Sequence, residues 1–215
     1  MFKRALLKGR SIYREALFPY TPASLKGKFI FVHIPKAAGT AVRVALGEPM
    51  TGRQHLPWWV YQQASPKRFQ KYYKFAFVRD PLDRAFSGYK YLKSGGNKMG
   101  DLAVAEYLER YKSFGEFVYC ELVNGSMINH PIFRPQHWYL CDWNGEVRVD
   151  YVGRFESISS GFENVAGRLG LEGFKGLPVV NKSKSSTENI GIEGIDLISK
   201  LYRNDYTIFD YPSPY

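Results

Sequence analysis

The chain has 215 residues, 45% of them hydrophobic and 16% aromatic, and 30 basic against 20 acidic residues give a formal net charge of +10. This composition excludes a disordered chain, because the apolar residues suffice for a buried core, and the length fits a single domain over residues 1–215. The positive charge favours an anionic partner, a condition that nucleic acid, acidic lipid, a phosphorylated cofactor and an anionic glycan all satisfy.

Nothing in the sequence predicts export. Residues 1–28 carry seven basic residues and one acidic residue, and no apolar run there is long enough for a signal peptide or a membrane span. We expect 1–27 to be a basic N-terminal segment; a surface helix is the simpler interpretation, and a membrane-touching amphipathic helix is the alternative. Cys120 and Cys141 form neither a C-x-x-C pair nor a secreted disulfide pattern, which favours a reducing, cytoplasmic location.

The first strand, loop and helix are predicted over residues 28–47. Lys28 to His33 reads K-F-I-F-V-H and predicts a buried strand, whereas Thr40 to Leu46 predicts a short helix closed by Gly47. The loop between them differs from G-x-x-x-x-G-K-[ST], because its lysine precedes the glycine, so the motif requires no metal. Backbone N–H groups, the helix dipole and a lysine ammonium together predict a phosphate-binding loop, with an ordinary strand-to-helix turn as the alternative. The predicted phosphate contacts are Lys36, Ala37, Ala38, Gly39, Thr40 and Ala41.

A second strand, loop and helix follow. Tyr73 to Val78 predicts a strand, and Asp80 is placed to cap a helix that begins with Pro81 and runs to about residue 92. Arg79 at the strand end and Ser87 two turns into the helix can hold a second phosphate. A surface ion pair and a packing serine are the alternative interpretation. Two anion sites at one sheet edge imply a bisphosphorylated nucleotide.

The remaining pattern completes an α/β fold. Helices are predicted at 102–111, 114–123, 157–169 and 192–202, and a strand at Val147 to Val152. Strands separated by helices predict a P-loop-like, mostly parallel central sheet with helices on both faces. Residues 124–144, the least patterned region, contain two His, two Pro, two Trp and Arg134, and we interpret them as an acceptor-site loop.

The order and spacing of these motifs resemble the carbohydrate-modifying branch of the sulfotransferases that use 3′-phosphoadenosine 5′-phosphosulfate (PAPS), which includes heparan sulfate 2-O- and 6-O-sulfotransferases and bacterial relatives. Residues 33–40 are similar to the 5′-phosphosulfate loop of that family, and residues 77–89 to its 3′-phosphate motif. Further similar segments are 135–138, 149–156, 181–183 and 202–206. The sequence departs from the family at Ala38, where a second glycine is common, and at Ala41, where a serine is common.

The resemblance implies transfer of a sulfuryl group from PAPS to a hydroxyl of a carbohydrate-like acceptor by in-line displacement without a metal. Lys36 would stabilise the leaving phosphate. His55 lies between the two motifs, where related glycan sulfotransferases carry their catalytic histidine, and would be the general base, although a loop histidine bonded to backbone is the alternative. A nucleotide-covering loop is implied at Asn181, Lys182 and Ser183. The predicted acceptor contacts are Arg134, His137 and Trp138.

Two other functional classes remain open. A small-molecule kinase would also use a strand-loop-helix phosphate site, but the sequence lacks a lysine after the second glycine. A nucleic-acid-binding module would suit the charge and the aromatic residues, but the strongest basic residues lie at strand ends, so we expect no nucleic-acid partner. The aromatic residues Trp58, Trp59 and Trp143 could stack on a sugar or belong to the core. The acceptor, the modified hydroxyl and the oligomeric state stay undetermined.

Overall fold

A parallel sheet lies at the centre of the molecule. The structure is a computed structural model that describes residues 17–48, 55–98, 100–171, 176–177 and 190–214. The strands of this part of the chain are β1 (Phe29–Val32), β2 (Tyr73–Val78) and β3 (Tyr151–Arg154). Their order is β1-β2-β3, and Val32 pairs with Ala76 while Val78 pairs with Arg154. Because all three strands run the same way, the loops that follow β1 and β2 emerge at the same edge.

Eleven α-helices surround the sheet within the described ranges. They are α1 (Pro22–Gly27), α2 (Gly39–Ala45), α3 (Trp58–Ala64), α4 (Pro66–Lys71), α5 (Pro81–Lys93), α6 (Leu102–Leu108), α7 (Phe114–Phe117), α8 (His137–Leu140), α9 (Ile158–Leu169), α10 (Gly191–Leu201) and α11 (Arg203–Ile208). A π-helical segment, Val118–Val123, continues α7, and single 3₁₀ turns form at Met127–Asn129 and Phe155–Ser157.

Each face of the sheet packs against helices. Alternate side chains of β1 and β2 point to opposite faces, so apolar residues are favoured on both sides of each strand. Lys74 of β2 is the exception, and its Nζ pairs with Asp150 at 2.8 Å. On one face, Phe31 and Phe75 join a buried cluster with Phe162 of α9. On the other face, Ile30 and Val78 join the larger core, to which α3 through α8 contribute. The predicted α/β class, with a parallel sheet covered on both faces, is confirmed.

The third strand was predicted at the wrong position. Residues 147–152 alternate in polarity, but the strand begins only at Tyr151, where the register gives it Phe75 of β2 as a partner. Val147 instead forms an isolated antiparallel bridge with Cys141. Because alternation shows which residues suit a strand but not where a neighbouring strand is available, the error follows from tertiary context.

Other element predictions differ in their ends. The helix predicted to reach residue 111 ends at Leu108, and the segment 114–123 is helical but changes from α to π geometry at Val118. The predicted strands at 28–33 and 73–78 and the helices after them are confirmed. No helix in these ranges combines the length and the apolar character needed to cross a bilayer. Cys120 and Cys141 are both free thiols.

Candidate active site

The structure places Lys36 of the first predicted phosphate motif against α5, the helix that contains the end of the second motif. Lys36, in the loop after β1, places its Nζ 4.1 Å from the ring centroid of Tyr91. Tyr91 belongs to α5, the helix that follows Arg79, and it lies four residues after Ser87 on the same helix face. The lysine ammonium of the first motif therefore contacts α5 at a residue one helical turn beyond Ser87.

The loop after β1 has an uncommon backbone. Lys36 has φ 67° and Ala38 has φ 61°, both in the left-handed region that residues with a Cβ rarely adopt. Alternation of left-handed and ordinary residues turns successive N–H groups toward one concavity, which suits an anion. Each left-handed position costs about 1 kcal/mol, and such strain is typical of ligand sites.

Gly39 is required by its neighbour rather than by its own backbone conformation. A Cβ built on Gly39 would lie 1.7 Å from Nε2 of His33. The His33 ring is held between this glycine and Phe31, whose ring stacks on it at 5.6 Å. Burial, with the nearby His55 and Arg43, lowers the pKa of His33 well below 6.5, so this ring is neutral at pH 7.

His55 lies directly beside this loop. Its Nδ1 is 3.2 Å from the backbone carbonyl oxygen of His33, and the two rings have centroids 4.4 Å apart. A carbonyl oxygen can only accept, so this contact places the proton on Nδ1 and leaves the lone pair on Nε2. The His55 side chain is partly exposed.

Arg79 is buried and firmly held. Its backbone N–H donates to Oε1 of Gln136 at 2.9 Å, and its carbonyl oxygen accepts from Nε2 of the same side chain at 2.8 Å. The guanidinium carbon lies 4.3 Å from the ring centroid of Phe155. Burial lowers the pKa of Arg79, although neighbouring carboxylates oppose that change. The side chain is therefore a cation presented by a fixed backbone.

Three carboxyl groups surround Arg79. As predicted, Asp80 caps α5 by accepting from the N–H of Asp83 at 2.9 Å, and its own N–H donates to Glu156 at 2.8 Å. Burial raises the pKa of Asp80 from 3.8 to about 6, with Asp83 and Glu156 acting in the same direction. A phosphate that reaches Arg79 must therefore compete with negative charge already present.

The loop 124–144 is fixed to the core by two buried side chains. Arg84 of α5, 0% exposed, donates to the carbonyl oxygens of Ile132 and Arg134, both at 2.8 Å. Tyr202 donates its hydroxyl to the carbonyl oxygen of Phe133 at 2.6 Å. The loop therefore presents its side chains from a rigid backbone.

Two of the predicted acceptor residues, Arg134 and Trp138, contact each other, and Trp59 extends this surface. The guanidinium carbon of Arg134 lies 4.2 Å from the Trp138 ring centroid, and Trp138 meets Trp59 edge-to-face at 6.4 Å. His137 is oriented by Asp205, whose Oδ1 lies 2.6 Å from Nδ1 of the imidazole. Trp58 donates its indole N–H to a backbone carbonyl, and it packs against the core as the alternative interpretation had it.

The structure describes some of the predicted site residues and leaves others outside the described ranges. Ser87 is partly buried on α5, Thr40 is exposed at the start of α2, and Ala37 is buried. The predicted nucleotide-covering residues, Asn181, Lys182 and Ser183, lie outside the described residues. Sequence reasoning missed Tyr91, Arg84, Gln136, Glu156 and Asp205 as site residues. For Tyr91 the spacing of four from Ser87 was an available signal.

Comparison with known proteins identifies relatives of the chain. A family model described as "Sulfotransferase family" matches residues 53–212, a range that begins after the Lys36 loop. Carbohydrate sulfotransferase 11 from Rattus norvegicus and from Mus musculus are each 26% identical over 174 residues, covering 68% of this chain and 49% of theirs. Carbohydrate sulfotransferase 14 from Mus musculus is 29% identical over 110 residues, covering 43% and 27%. The chain thus spans about half the length, or less, of these curated relatives. The solved structures gave no significant match.

Proposed function

The chain belongs to the sulfotransferase family, and we propose that it transfers a sulfuryl group from PAPS to a hydroxyl of a carbohydrate-like acceptor by in-line displacement. The names of its relatives, carbohydrate sulfotransferases 11 and 14, support the carbohydrate part of this proposal. The donor and the roles of individual residues are proposed from the site geometry and from the resemblance of the motifs.

One observation carries the proposal: Lys36 Nζ contacts Tyr91, one turn from Ser87. A nucleotide with phosphate groups at two positions needs two anion sites that face one space, and the contact of Lys36 with the helix that carries Ser87 supports that arrangement. The left-handed backbone of Lys36 and Ala38, which is typical of anion-binding loops, supports a phosphate site in the loop after β1.

The chain's own residues fit the chemistry of transfer. Bound PAPS would supply the sulfuryl group and a phosphate leaving group. The Lys36 ammonium would balance the negative charge that develops on the leaving oxygen, and the N–H groups of the loop would hold the adjacent phosphate. Nε2 of His55 would take the proton of the acceptor hydroxyl, while Nδ1–H stays on the His33 carbonyl and keeps the tautomer fixed.

Arg79 and Ser87 would hold the 3′-phosphate, and the acceptor would lie against Arg134, His137 and Trp138. A guanidinium suits an anionic sugar substituent, and an exposed tryptophan ring suits a sugar face. Asn181, Lys182 and Ser183 are proposed nucleotide contacts from the resemblance alone.

Calorimetric titration tests the donor. We expect adenosine 3′,5′-bisphosphate to bind, while ATP with magnesium and a DNA oligonucleotide bind at least tenfold more weakly. Binding of ATP with magnesium alone would identify a kinase, and tight binding of the oligonucleotide alone a nucleic-acid module. Transfer of labelled sulfate from PAPS across a panel of glycans then identifies the acceptor.

A further inference from the structure

A single buried carboxylate contacts two separate parts of the site. Asp205 of α11 is 0% exposed. Its Oδ2 accepts from the backbone N–H of Gln136 at 2.7 Å. Its Oδ1 accepts from the backbone N–H of His137 at 2.9 Å and lies 2.6 Å from Nδ1 of the same residue.

Through Gln136, Asp205 is linked to Arg79, the proposed ligand of the nucleotide 3′-phosphate. The Gln136 side chain is also 0% exposed, and its amide bonds both the N–H and the carbonyl oxygen of Arg79. Asp205 therefore fixes the backbone of Gln136, and Gln136 in turn fixes the backbone of Arg79.

Asp205 also contacts His137, one of the proposed acceptor-binding residues. A carboxylate oxygen accepts, so the close contact requires a proton on Nδ1 of His137. The second bond, from the His137 backbone N–H to the same oxygen, fixes the position of the ring as well as its tautomer.

Stability alone does not explain this arrangement. Removing a carboxylate from water is costly, and well-packed apolar residues of similar volume are often as stabilising as a buried ionic group. What an apolar replacement cannot do is direct an arginine backbone and an imidazole tautomer at the same time. The function of the carboxylate is then geometric rather than energetic.

We propose that Asp205 and Gln136 are positioning residues that hold Arg79 on the nucleotide side and His137 on the acceptor side in one fixed relative geometry. The inference rests on the proposed function, because it acts through two residues assigned there. It adds residues that contact neither substrate and that join the donor site to the acceptor site through one carboxylate.

The nucleotide side is tested with Gln136→Glu, which preserves the shape of the side chain. The carboxylate can still accept from the Arg79 N–H, but its second oxygen faces the Arg79 carbonyl oxygen, and two acceptors repel. We expect the Kd for adenosine 3′,5′-bisphosphate, measured by calorimetry well below the melting temperature, to rise about tenfold. Thr207→Ala, an exposed position on α11, is the matched control and should bind as the wild type does.

The acceptor side is tested with Asp205→Asn. An amide offers one acceptor oxygen, so its NH₂ group must face either the N–H of Gln136 or the two donors of His137. If it faces His137, nitrogen NMR of the imidazole rings should show that the proton on Nδ1 seen in the wild type is lost or mixed in this variant. If it faces Gln136, the nucleotide Kd should rise about tenfold instead, because Gln136 loses its acceptor. A folded variant in which neither property changes would contradict the inference.

The outcomes separate this inference from the proposed function. A wild-type protein that does not bind adenosine 3′,5′-bisphosphate would overturn both. A wild type that binds, together with a folded Gln136→Glu variant of unchanged Kd, would overturn the inference alone. Should Asp205→Asn fail to fold, Gln136→Glu decides the question, since it leaves all three bonds to Asp205 in place.

Discussion

The loop after β1 and the segment after β2 both lie at one edge of the sheet, yet they are built in different ways. The first is local: Lys36, Ala38 and Gly39 stand within four consecutive residues and offer mainly backbone N–H groups. The second depends on distant parts of the chain, because the Arg79 backbone is held by a residue 57 positions later and the N–H of Asp80 by one 76 positions later.

This difference separates two ways of building the proposed anion sites. A site built from backbone tolerates changes of side chain but not of shape, as the clash at Gly39 indicates. A site built from one buried side chain among carboxylates depends on charge balance. Substitutions in the first region should therefore change turnover most, and substitutions in the second should change nucleotide affinity and stability.

The largest effect is expected for Lys36→Ala. The ammonium is lost while the left-handed backbone remains occupied by a residue with a Cβ, so the loop should keep its shape. We expect kcat to fall about 10³-fold, the magnitude typical of a lost charge-stabilising group. The transfer assay with labelled donor measures it, and Lys90→Ala, an exposed lysine of α5, is the control. Unchanged kcat would remove Lys36 from the mechanism.

His55→Ala should follow, with kcat reduced about 10²-fold, because a general base typically contributes that much or more. His55→Asn serves as a companion, since it keeps an amide donor near the His33 carbonyl but has no titratable nitrogen. If either variant is fully active, His55 is a loop histidine bonded to backbone and not the base.

Arg79→Ala should act on binding. A charge-assisted bond contributes about 1.5–3 kcal/mol, so the Kd for adenosine 3′,5′-bisphosphate should rise about 30-fold with a smaller change in kcat. Calorimetry and steady-state kinetics together measure the two effects. An equal loss of kcat and of affinity would contradict the division between the two regions.

Asp80→Asn should stabilise the protein in a pH-dependent way. The pKa of Asp80 is raised from 3.8 to about 6 in the folded state, so its contribution to stability is present below pH 4 and is lost as the pH rises through 6. Asparagine still caps α5 but carries no charge. The variant should exceed the wild type by roughly 2–3 kcal/mol in free energy of unfolding at pH 8 and match it near pH 4. Urea unfolding of both proteins at pH 8 and pH 4 measures this difference, and an equal difference at the two pH values would contradict the prediction.

The smallest effect is expected for Ala38→Gly. Glycine adopts φ 61° without a steric penalty but loses more conformational entropy on folding, so the net gain should be below about 1 kcal/mol. Gly47→Ala is the opposite substitution, at a residue that has φ 67° and open space around it. It should lower the free energy of unfolding by about 1 kcal/mol. Thermal melting of both variants compares them, and a less stable Ala38→Gly would show that the loop is not strained there.

The same contrast explains what could be predicted from the sequence. The strand, loop and helix around Lys36 follow from apolar runs, punctuating glycines and a short-range motif, and the structure agrees. The third strand was misplaced because its start depends on which residues of β2 are available to pair with it.

Three site residues that the sequence did not predict share one property: they are polar side chains in the interior. Arg84, Gln136 and Asp205 are all 0% exposed, although their residue types usually lie at the surface. Their partners are 48 to 69 positions away in sequence, so no local pattern indicates the contacts. The contact of Lys36 with Tyr91 likewise requires knowing how two loops meet in space.

The two hydrogen bonds between the Gln136 side chain and Arg79 involve only main-chain atoms of residue 79. Any side chain introduced at that position would inherit the same anchoring, since the amide bonds do not depend on what the residue carries. A substitution at position 79 therefore keeps these two main-chain bonds, and its effect on folding depends on how well the new side chain balances the three carboxyl groups around it.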